Sequence, residues 1–516
     1  MLMILSICLT SLGLPGGLSE MTIDSAKSIA GMKWLVDMEG FFISEMESYT
    51  AALKNKIDEI ESFLQEVQSK REISRRNPEE FVAHPLNAFS LIRRLHEDWT
   101  QIELLMLNQP GLENLESIEN GLDVAQPTDE DLNDAINGII SLQEFYNLQP
   151  SDIAKGLLMG QQYNASLTTL NCMALANACQ SYNFDKYALK WYKTAVELYD
   201  DDRDGLIYRE VFGFSLSDLY KNYTSVLIRK GFRKTAFNLL RDVADLDANL
   251  WTLRKDVYEM GKIDVPDPTF TKSTWFDVTG CLRVSHTRKN LSCHYEKHTS
   301  DLLRIAPLKV ETLSLKPHIV LYHDVIYDSE ISKVKNISLP SLKSPLRILH
   351  AEDHNLKLAK ISEDYHSPLN LRIKDMTGED VKEDTDFQID NYGICGFRYY
   401  HTDNLESQDQ TAELGDRLTS IMFFMNDVAQ GGAFVFLHLN LTIWPQKGSA
   451  LVWRNLDHRM QPNEDLLHAS CPVIVGSKWT LTKWLHERPQ MFSRPCKKMR
   501  KSKSHDQSMK FKALNK

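Results

Sequence analysis

The chain has 516 residues and a formal net charge of −11, from 59 Lys and Arg against 70 Asp and Glu. Hydrophobic residues make up 42% and charged residues 25%, which is ordinary for globular domains. These values exclude a wholly disordered, a collagen-like or a multi-span membrane protein, and the acidic balance leaves no electrostatic footprint for nucleic acid. At about 150 residues per domain, the length predicts three or four domains.

The N-terminal residues predict a secretory signal peptide. Residues 1–14 are mostly apolar, and Pro15 and two glycines break the run. Gly17 and Ser19 then provide small residues at the two positions that a signal peptidase reads. We expect a signal peptide over residues 1–19; the alternative is a buried N-terminal helix. No later segment is long and apolar enough to predict a membrane span. A lumenal location also fits five N-x-[ST] sequons, at Asn164, Asn222, Asn290, Asn336 and Asn440.

The cysteines after Cys8 have spacings that suit an oxidising compartment. Cys281 lies near Cys293, and Cys471 near Cys496, so each pair suits a local disulfide. Two further cysteines, Cys172 and Cys179, either form a disulfide with each other or belong to the core. Cys395 is then left without a predicted disulfide partner. No CxxC motif is present, so thiol exchange is not expected as the chemistry of this chain.

The first half of the chain reads as helical. An apolar stripe from Phe42 to Val67 predicts a long helix over residues 25–70, whose stripe is either intramolecular core or a dimer seam. A second helix is expected over 88–107, and the polar residues 108–135 read as a linker. In residues 138–260, small residues and aromatic residues stand at the spacing typical of a tetratricopeptide repeat. The pattern occurs twice, and the second copy matches the repeat more loosely. Such paired helices present a groove, and its tyrosines suit a proline-rich peptide unless they are packing core.

From about residue 307 the pattern changes to short strands. We expect eight of them, punctuated by Gly, Asn and Asp, which favours an antiparallel sandwich or jelly roll. The predicted strands are 319–321, 387–392, 396–400, 421–424, 433–436, 449–453, 472–475 and 479–482.

One segment of this region carries candidate metal ligands. His401 and Asp403 are two residues apart, so on a strand both side chains reach the same point. A distant histidine would complete the two-His-one-carboxylate set that holds Fe(II). His468 is the best candidate, because an apolar strand and Lys478 follow it. A buried lysine near a metal needs an anionic partner, which the distal carboxylate of 2-oxoglutarate would supply. The rival ligands are His438, His458 and His486.

At this point the chain resembles a known family, the α subunit of animal collagen prolyl 4-hydroxylase. The resemblance covers nearly the whole chain. It is carried by Phe81–Phe89, by Leu142-Gln143 with Tyr146-Asn147-Leu148, by Asn391-Tyr392-Gly393, by Phe424–Val428 with Gly431-Gly432-Ala433, by Trp444–Gly448 and by Lys483–Arg488.

The resemblance implies a multidomain α + β architecture. It comprises a helical, coiled-coil dimerisation region (20–135), a tetratricopeptide-like peptide-binding domain (138–260), a linker with a disulfide (261–306), a double-stranded β-helix dioxygenase domain (307–496) and a basic tail (497–516). The implied activity is 4-hydroxylation of peptidyl proline in X-Pro-Gly repeats, with Fe(II), 2-oxoglutarate, O2 and L-ascorbate. Protein disulfide isomerase would be the second subunit. It would retain the enzyme in the endoplasmic reticulum lumen, because this chain has no Lys-Asp-Glu-Leu-type ending.

Residue roles also follow from the resemblance. His401, Asp403 and His468 would bind iron, while Lys478 and Tyr392 would bind 2-oxoglutarate. The two family disulfides fall on Cys281–Cys293 and Cys471–Cys496.

The chain departs from the family at several positions. The family has Tyr-Glu-Pro where this chain has Arg398-Tyr399-Tyr400, Thr where it has Phe434, and Pro where it has Leu437. A Trp-bearing segment between residues 361 and 370 is absent or shortened, and groove tyrosines are replaced by Gln180, Asp185 and Lys186. Two alternatives therefore stay open: a non-catalytic homologue that binds proline-rich peptides, and a hydroxylase of a different peptide.

Overall fold

The computed structural model describes residues 28–243, 247–261, 263–264, 281, 291–343, 354–362, 367–381, 386–405, 414–457 and 460–492. The chain divides into two compact units, residues 1–135 and 136–516. The predicted signal peptide and basic tail lie outside the described residues. Within the described part of the chain, none of the helices combines the length and the apolar character that crossing a bilayer requires.

The first unit is helical. Its helices are α1 (Ile29–Arg76), α2 (Pro78–Ala83), α3 (Pro85–Arg93), α4 (Trp99–Leu107) and α5 (Leu112–Ala125), with a π-helical segment at Arg94–Asp98. The Ser28 hydroxyl caps α1 by accepting a hydrogen bond from the Gly31 N–H. Several apolar residues of the α1 stripe, such as Met46 and Ile57, are more than half exposed in the single chain.

The prediction of a linker over residues 108–135 was wrong. Helix α5 occupies most of it, and α6 (Asp129–Phe145) begins before its end. Helix α5 packs against α1 so closely that a side chain at Gly121 would meet the Phe42 ring. The acidic residues that gave the segment a loop-like composition stand in the first turn of α6, where they stabilise the positive end of the helix dipole.

The second unit starts with a helical array. It contains the rest of α6, then α7 (Pro150–Ala154), a hairpin of β1 (Leu157–Leu158) and β2 (Gln161–Gln162), α8 (Thr169–Ser181), α9 (Asp185–Leu198), α10 (Asp201–Glu210), α11 (Leu216–Arg229), α12 (Arg233–Val243) and α13 (Ala248–Glu259). Helices α8 and α9, and then α11 and α12, pack as neighbours. The small residues Ala176, Ala188 and Ala236 are fully buried at these contacts, as close helix packing requires.

A curled antiparallel sheet forms the C-terminal part. Its elements are β3 (Cys293–Glu296), β4 (Leu308–Leu315), β5 (His318–His323), α14 (Asp328–Ser338), β6 (His354–Ile361), α15 (Pro368–Thr377), β7 (Phe387–His401), β8 (Arg417–Phe424), β9 (Gln430–Gly431), β10 (Phe434–Phe436), β11 (Leu441–Ile443), β12 (Ala450–Arg454), β13 (His468–Ser470), β14 (Val473–Val475) and β15 (Lys478–His486). Short 3-10 turns stand at 302–304, 339–341, 464–466 and 488–490.

The strand order shows how the sheet folds over itself. Among the described residues, ten strands run in the order β11-β10-β13-β7-β15-β8-β12-β5-β4-β3, and β6 also pairs with β7. A separate pair joins β14 to β9. The long strand β7 therefore pairs with β6 and β15 along its first part and with β13 at its end. It bends where Cys395 adopts a φ of 50°. The predicted helical N-terminal region and C-terminal jelly roll are thus confirmed.

One disulfide differs from the prediction. The structure joins Cys281 to Cys471, with Cα atoms 5.7 Å apart. Cys293 is an exposed free cysteine on β3, so the predicted Cys281–Cys293 pairing was wrong. Cys281 and Cys471 instead belong to one buried apolar cluster, which brings residues distant in sequence together. Because Cys471 is bonded to Cys281, it cannot also form the predicted disulfide with Cys496. Cys496 itself lies outside the described residues.

Candidate active site

The end of β7 and the start of β13 bring the three candidate metal ligands together. His401 is the last residue of β7, His468 is the first of β13, and the two are directly paired across the strands. Asp403 follows β7 by two residues. Its Oδ1 lies 4.0 Å from Nε2 of His401 and 3.8 Å from Nε2 of His468. One ligand atom from each residue lies within 4.8 Å of the other two.

Backbone carbonyls orient both imidazoles. Nδ1 of His401 lies 2.8 Å from the carbonyl of Tyr399, and Nδ1 of His468 lies 2.8 Å from that of Leu466. Each Nδ1–H can donate to this carbonyl, which leaves the Nε2 lone pair directed at the shared point. Such a second hydrogen bond fixes the tautomer and the orientation of a metal-binding histidine.

A hydroxyl orients the carboxylate. The Ser420 Oγ donates to Oδ2 of Asp403 at 2.5 Å, and the Asn455 side-chain amide donates to Ser420 at 2.8 Å. The other oxygen, Oδ1, faces the histidines. Neither Ser420 nor Asn455 was identified from the sequence, because no local motif links them to Asp403. Asn455 comes close to Ser420 only through the pairing of β8 with β12.

Burial and charge keep these groups in the form that binds a metal. Burial alone would raise the pKa of Asp403, but the two imidazoles, Arg417 and the Ser420 hydrogen bond together lower it to about 2. Burial lowers the pKa of His401 and of His468, and Arg398 adds to this effect. At neutral pH the site therefore offers a carboxylate and two neutral imidazoles, the protonation state that metal binding requires.

This donor set fits ferrous iron. Two imidazoles and one carboxylate on one side of a shared point leave coordination positions open, as in non-haem Fe(II) oxygenases. The rival ligands do not join the set: His438 is exposed and bonded to the Glu464 carbonyl, and His486 is bonded to that of Gly415. His458 lies outside the described residues.

Aromatic rings hold His468 in place. Phe434, Phe436 and Trp453 surround its imidazole with ring centroids 5.1 to 5.7 Å away. Phe434 and Phe436 lie on β10 opposite Ser470 and His468 of β13. Phe434, which stands where the resembling family has Thr, is thus a packing residue of the site.

The second part of the site is a buried ammonium group. Lys478 of β15 lies directly opposite Tyr392 of β7, with its Nζ 4.8 Å from the centre of the tyrosine ring. The Nζ is buried and has no hydrogen-bond partner in the described part of the chain. Burial lowers the pKa of Lys478 to about 7, against a smaller opposing effect of Asp390. Such a cation is costly unless an anion joins it.

Hydrogen bonding links this ammonium to the histidine strand. The Tyr392 hydroxyl donates to the Ser470 Oγ at 3.1 Å. Ser470 is two residues after His468 on β13, so the two side chains share a face. Lys478, Tyr392, Ser470 and His468 therefore follow one another across β15, β7 and β13.

In the helical array, residues that differ from the resembling family form ion pairs or hydrogen bonds with neighbouring side chains. Asp185 is buried and forms ion pairs with Arg229 and Lys230. The Tyr192 hydroxyl donates to the Gln180 side chain at 2.8 Å. These residues form polar contacts within the array, where the family is expected to have tyrosines.

Comparison with known proteins gives two family matches, one in each half of the chain. Residues 28–160 match a family model described as the N-terminal region of the prolyl 4-hydroxylase α subunit. Residues 387–486 match the model of the 2OG-Fe(II) oxygenase superfamily. The C-terminal part is thus a 2-oxoglutarate-dependent dioxygenase domain, and this match spans all three candidate ligands, Tyr392 and Lys478.

Individual relatives match almost the whole chain. The human prolyl 4-hydroxylase subunit alpha-1 is 29% identical, over 91% of this chain and 95% of the human protein. The chicken subunit alpha-2 is also 29% identical, over 91% of this chain and 94% of its own length. Among solved structures, a viral collagen prolyl hydroxylase from Paramecium bursaria Chlorella virus-1 matches 32% of this chain at 20% identity, with a TM-score of 0.27.

Proposed function

We propose that this chain, a homologue of the animal prolyl 4-hydroxylase α subunits over nearly its whole length, hydroxylates peptidyl proline at C4 in X-Pro-Gly repeats. It would use Fe(II), 2-oxoglutarate and O2, with L-ascorbate to restore iron that has been oxidised in uncoupled turnovers. The observation that carries the proposal is the His401, Asp403 and His468 cluster beside the buried, unpartnered ammonium of Lys478.

Each residue of the site has a role in this reaction. His401, Asp403 and His468 would hold the ferrous ion, which when bound supplies the oxidising chemistry. Lys478 would bind the C5 carboxylate of 2-oxoglutarate. The Tyr392 hydroxyl, which donates to Ser470 in the structure, would turn to donate to the same carboxylate. The aromatic rings around His468 keep that side of the site dry, which strengthens every charge interaction inside it.

The helical array would hold a second stretch of the substrate. Paired helices present a concave surface to an extended peptide, and binding there raises the effective concentration of the rest of the peptide at the iron. Ion-paired Asp185 and hydrogen-bonded Gln180 replace expected tyrosines in this region. This observation favours the second candidate function, hydroxylation of a peptide other than a (Pro-Pro-Gly) repeat.

We further propose an assembly in the endoplasmic reticulum lumen. Protein disulfide isomerase would be the partner subunit, and the first unit would mediate self-association. The support for self-association is the number of large apolar side chains that are more than half exposed on α3 and α4, including Leu86, Phe89, Ile92 and Leu107. In a purified complex, Phe89→Ser with Ile92→Ser should lower the mass measured by light scattering to that of one α subunit with its partner. An unchanged mass would locate the contact elsewhere.

A direct experiment tests the proposed activity. The full-length chain is co-expressed with protein disulfide isomerase and incubated with Fe(II), 2-oxoglutarate, ascorbate and peptides with and without X-Pro-Gly repeats. We expect release of CO2 from 2-oxoglutarate and a product peptide heavier by one oxygen per hydroxylated proline. Binding of the peptide without CO2 release would instead favour the non-catalytic homologue, and oxidation at another residue would favour a different substrate.

A further inference from the structure

A buried carboxylate that the proposed reaction does not use lies close to Lys478. Asp390 precedes Tyr392 by two residues on β7, and Thr480 and Lys478 lie directly opposite these two on β15. Paired residues and residues two apart point to the same side of a sheet, so the four side chains share one face. Asp390 is only 1% exposed. The chain therefore contains an internal anion that competes for the ammonium group.

Other groups of the chain already engage this carboxylate. Its Oδ1 accepts a hydrogen bond from the Gln388 side-chain amide at 2.9 Å, and its Oδ2 accepts one from the Thr480 hydroxyl at 3.2 Å. The guanidinium of Arg398 lies 3.8 Å from the same Oδ2. The Nζ of Lys478 forms no hydrogen bond with Asp390 or with any other described residue.

The bend of β7 makes the approach of Arg398 possible. Asp390 and Arg398 lie on opposite sides of Cys395, where the strand turns with positive φ. Arg398 is paired directly with Ser470 of β13, whose Oγ accepts a hydrogen bond from the Tyr392 hydroxyl. Its side chain thus faces the region between the metal ligands and Lys478. The resembling family has Tyr at this position, and a tyrosine could not supply the same counter-charge.

We propose that Arg398 is a positioning residue, whose guanidinium engages Asp390 and leaves the Lys478 ammonium free for the distal carboxylate of 2-oxoglutarate. The inference rests on the proposed function. Charge balance supports it: a ferrous ion on two imidazoles and Asp403 carries one net positive charge, and Lys478 adds a second. Together they match dianionic 2-oxoglutarate if Arg398 neutralises Asp390 and Asp416 neutralises Arg417, the other cation that acts on Asp403.

Substitution of both members of the pair tests the inference. In Arg398→Gln, Asp390 would pair with Lys478, and we expect the Kd for 2-oxoglutarate to rise roughly tenfold or more, because a buried charge partner has been diverted. Adding Asp390→Asn removes the competing anion and should restore the Kd to within about threefold of the wild-type value. Arg398→Lys keeps the charge and should stay close to wild type, which gives a folded comparison even if Arg398→Gln folds poorly.

The measurement is calorimetric titration of 2-oxoglutarate into the Mn(II)-loaded, full-length chain in complex with protein disulfide isomerase, with thermal unfolding as the check on the fold. An unchanged Kd in Arg398→Gln overturns the inference. Weakened binding that Asp390→Asn does not restore also overturns it, because Arg398 would then contact the co-substrate itself or support only the fold. If wild type binds no 2-oxoglutarate, the proposed function fails and this inference fails with it.

Discussion

At the scale of single residues, the site depends on neighbouring groups whose hydrogen bonds orient the candidate metal-binding side chains. Two backbone carbonyls set the tautomers of His401 and His468, and the Ser420 hydroxyl fixes one oxygen of Asp403. The candidate ligands themselves could be picked from the sequence, because His401 and Asp403 have strand spacing and a strand with Lys478 follows His468. Ser420, Asn455 and Asp390 were not, since nothing near them along the chain marks them as neighbours of the site.

Lys478 allows the first prediction. Lys478→Ala should raise the 2-oxoglutarate requirement by about two orders of magnitude, since the co-substrate loses a desolvated charge partner. Lys309→Ala removes an exposed lysine that is ion-paired with Asp324 and should leave the requirement unchanged. Both values come from the dependence of CO2 release on 2-oxoglutarate concentration. An unchanged requirement in Lys478→Ala would show that another group anchors the co-substrate.

The same lysine predicts a dependence on pH. Its pKa is lowered to about 7, so the ammonium form that attracts the dianion is present below pH 7 and is lost as the pH rises. The Kd of 2-oxoglutarate should therefore rise by up to about tenfold per pH unit above pH 7, as titration calorimetry can measure. In Lys478→Gln the Kd should be high and flat over this range. A wild-type Kd that does not change with pH would contradict this reading of Lys478.

At the scale of elements, β7, β10 and β13 build the site as a unit. Strand β10 supplies two aromatic rings to the imidazole on β13, and β13 pairs His468 with His401 of β7. Every strand predicted from the sequence overlaps an observed one, although the two predicted at 387–392 and 396–400 are a single bent strand. The strands β1 to β4, β6, β9, β11 and β13 were missed. All of them except β4 and β6 have only two to four residues, which carry too little periodicity.

Phe434 gives a prediction at this scale. It is almost fully buried against His468 and Trp453, so Phe434→Ala should lower the free energy of unfolding of the catalytic part by about 3–5 kcal/mol. Phe492→Ala is the matched control, since Phe492 is 95% exposed. Denaturant unfolding followed by tryptophan fluorescence gives both values. Equal stability of the two variants would mean that Phe434 does not pack as described.

At the scale of the whole molecule, distant parts of the second unit are tied to the site. The Tyr146 hydroxyl at the end of α6 donates to the Pro472 carbonyl at 2.7 Å, and the Phe145 and Phe397 rings are 4.8 Å apart. The disulfide from Cys281 reaches Cys471, the next residue after β13. The sequence favoured disulfides between cysteines that are close along the chain, because sequence spacing is the information available before the fold is known. The fold instead places Cys281 and Cys471 in one cluster.

This disulfide can be checked directly. Peptide mapping without reduction should recover Cys281 linked to Cys471, and replacing both by Ser should cost about 2–5 kcal/mol of stability, because the bond closes a long loop in the unfolded chain. Cys293→Ser, which removes an exposed free thiol, should leave the stability unchanged. Recovery of a peptide that links Cys281 to Cys293 would restore the pairing expected from the sequence.

The most direct test is whether three side chains hold one ferrous ion. Anaerobic equilibrium dialysis of the full-length complex against Fe(II) should give one tightly bound iron per chain in wild type and in His438→Ala, whose histidine lies outside the cluster. His468→Ala should lose this iron and all release of CO2 from 2-oxoglutarate while keeping a cooperative thermal unfolding transition. Full iron binding or full turnover in His468→Ala would contradict the assignment of His401, Asp403 and His468 as the metal centre.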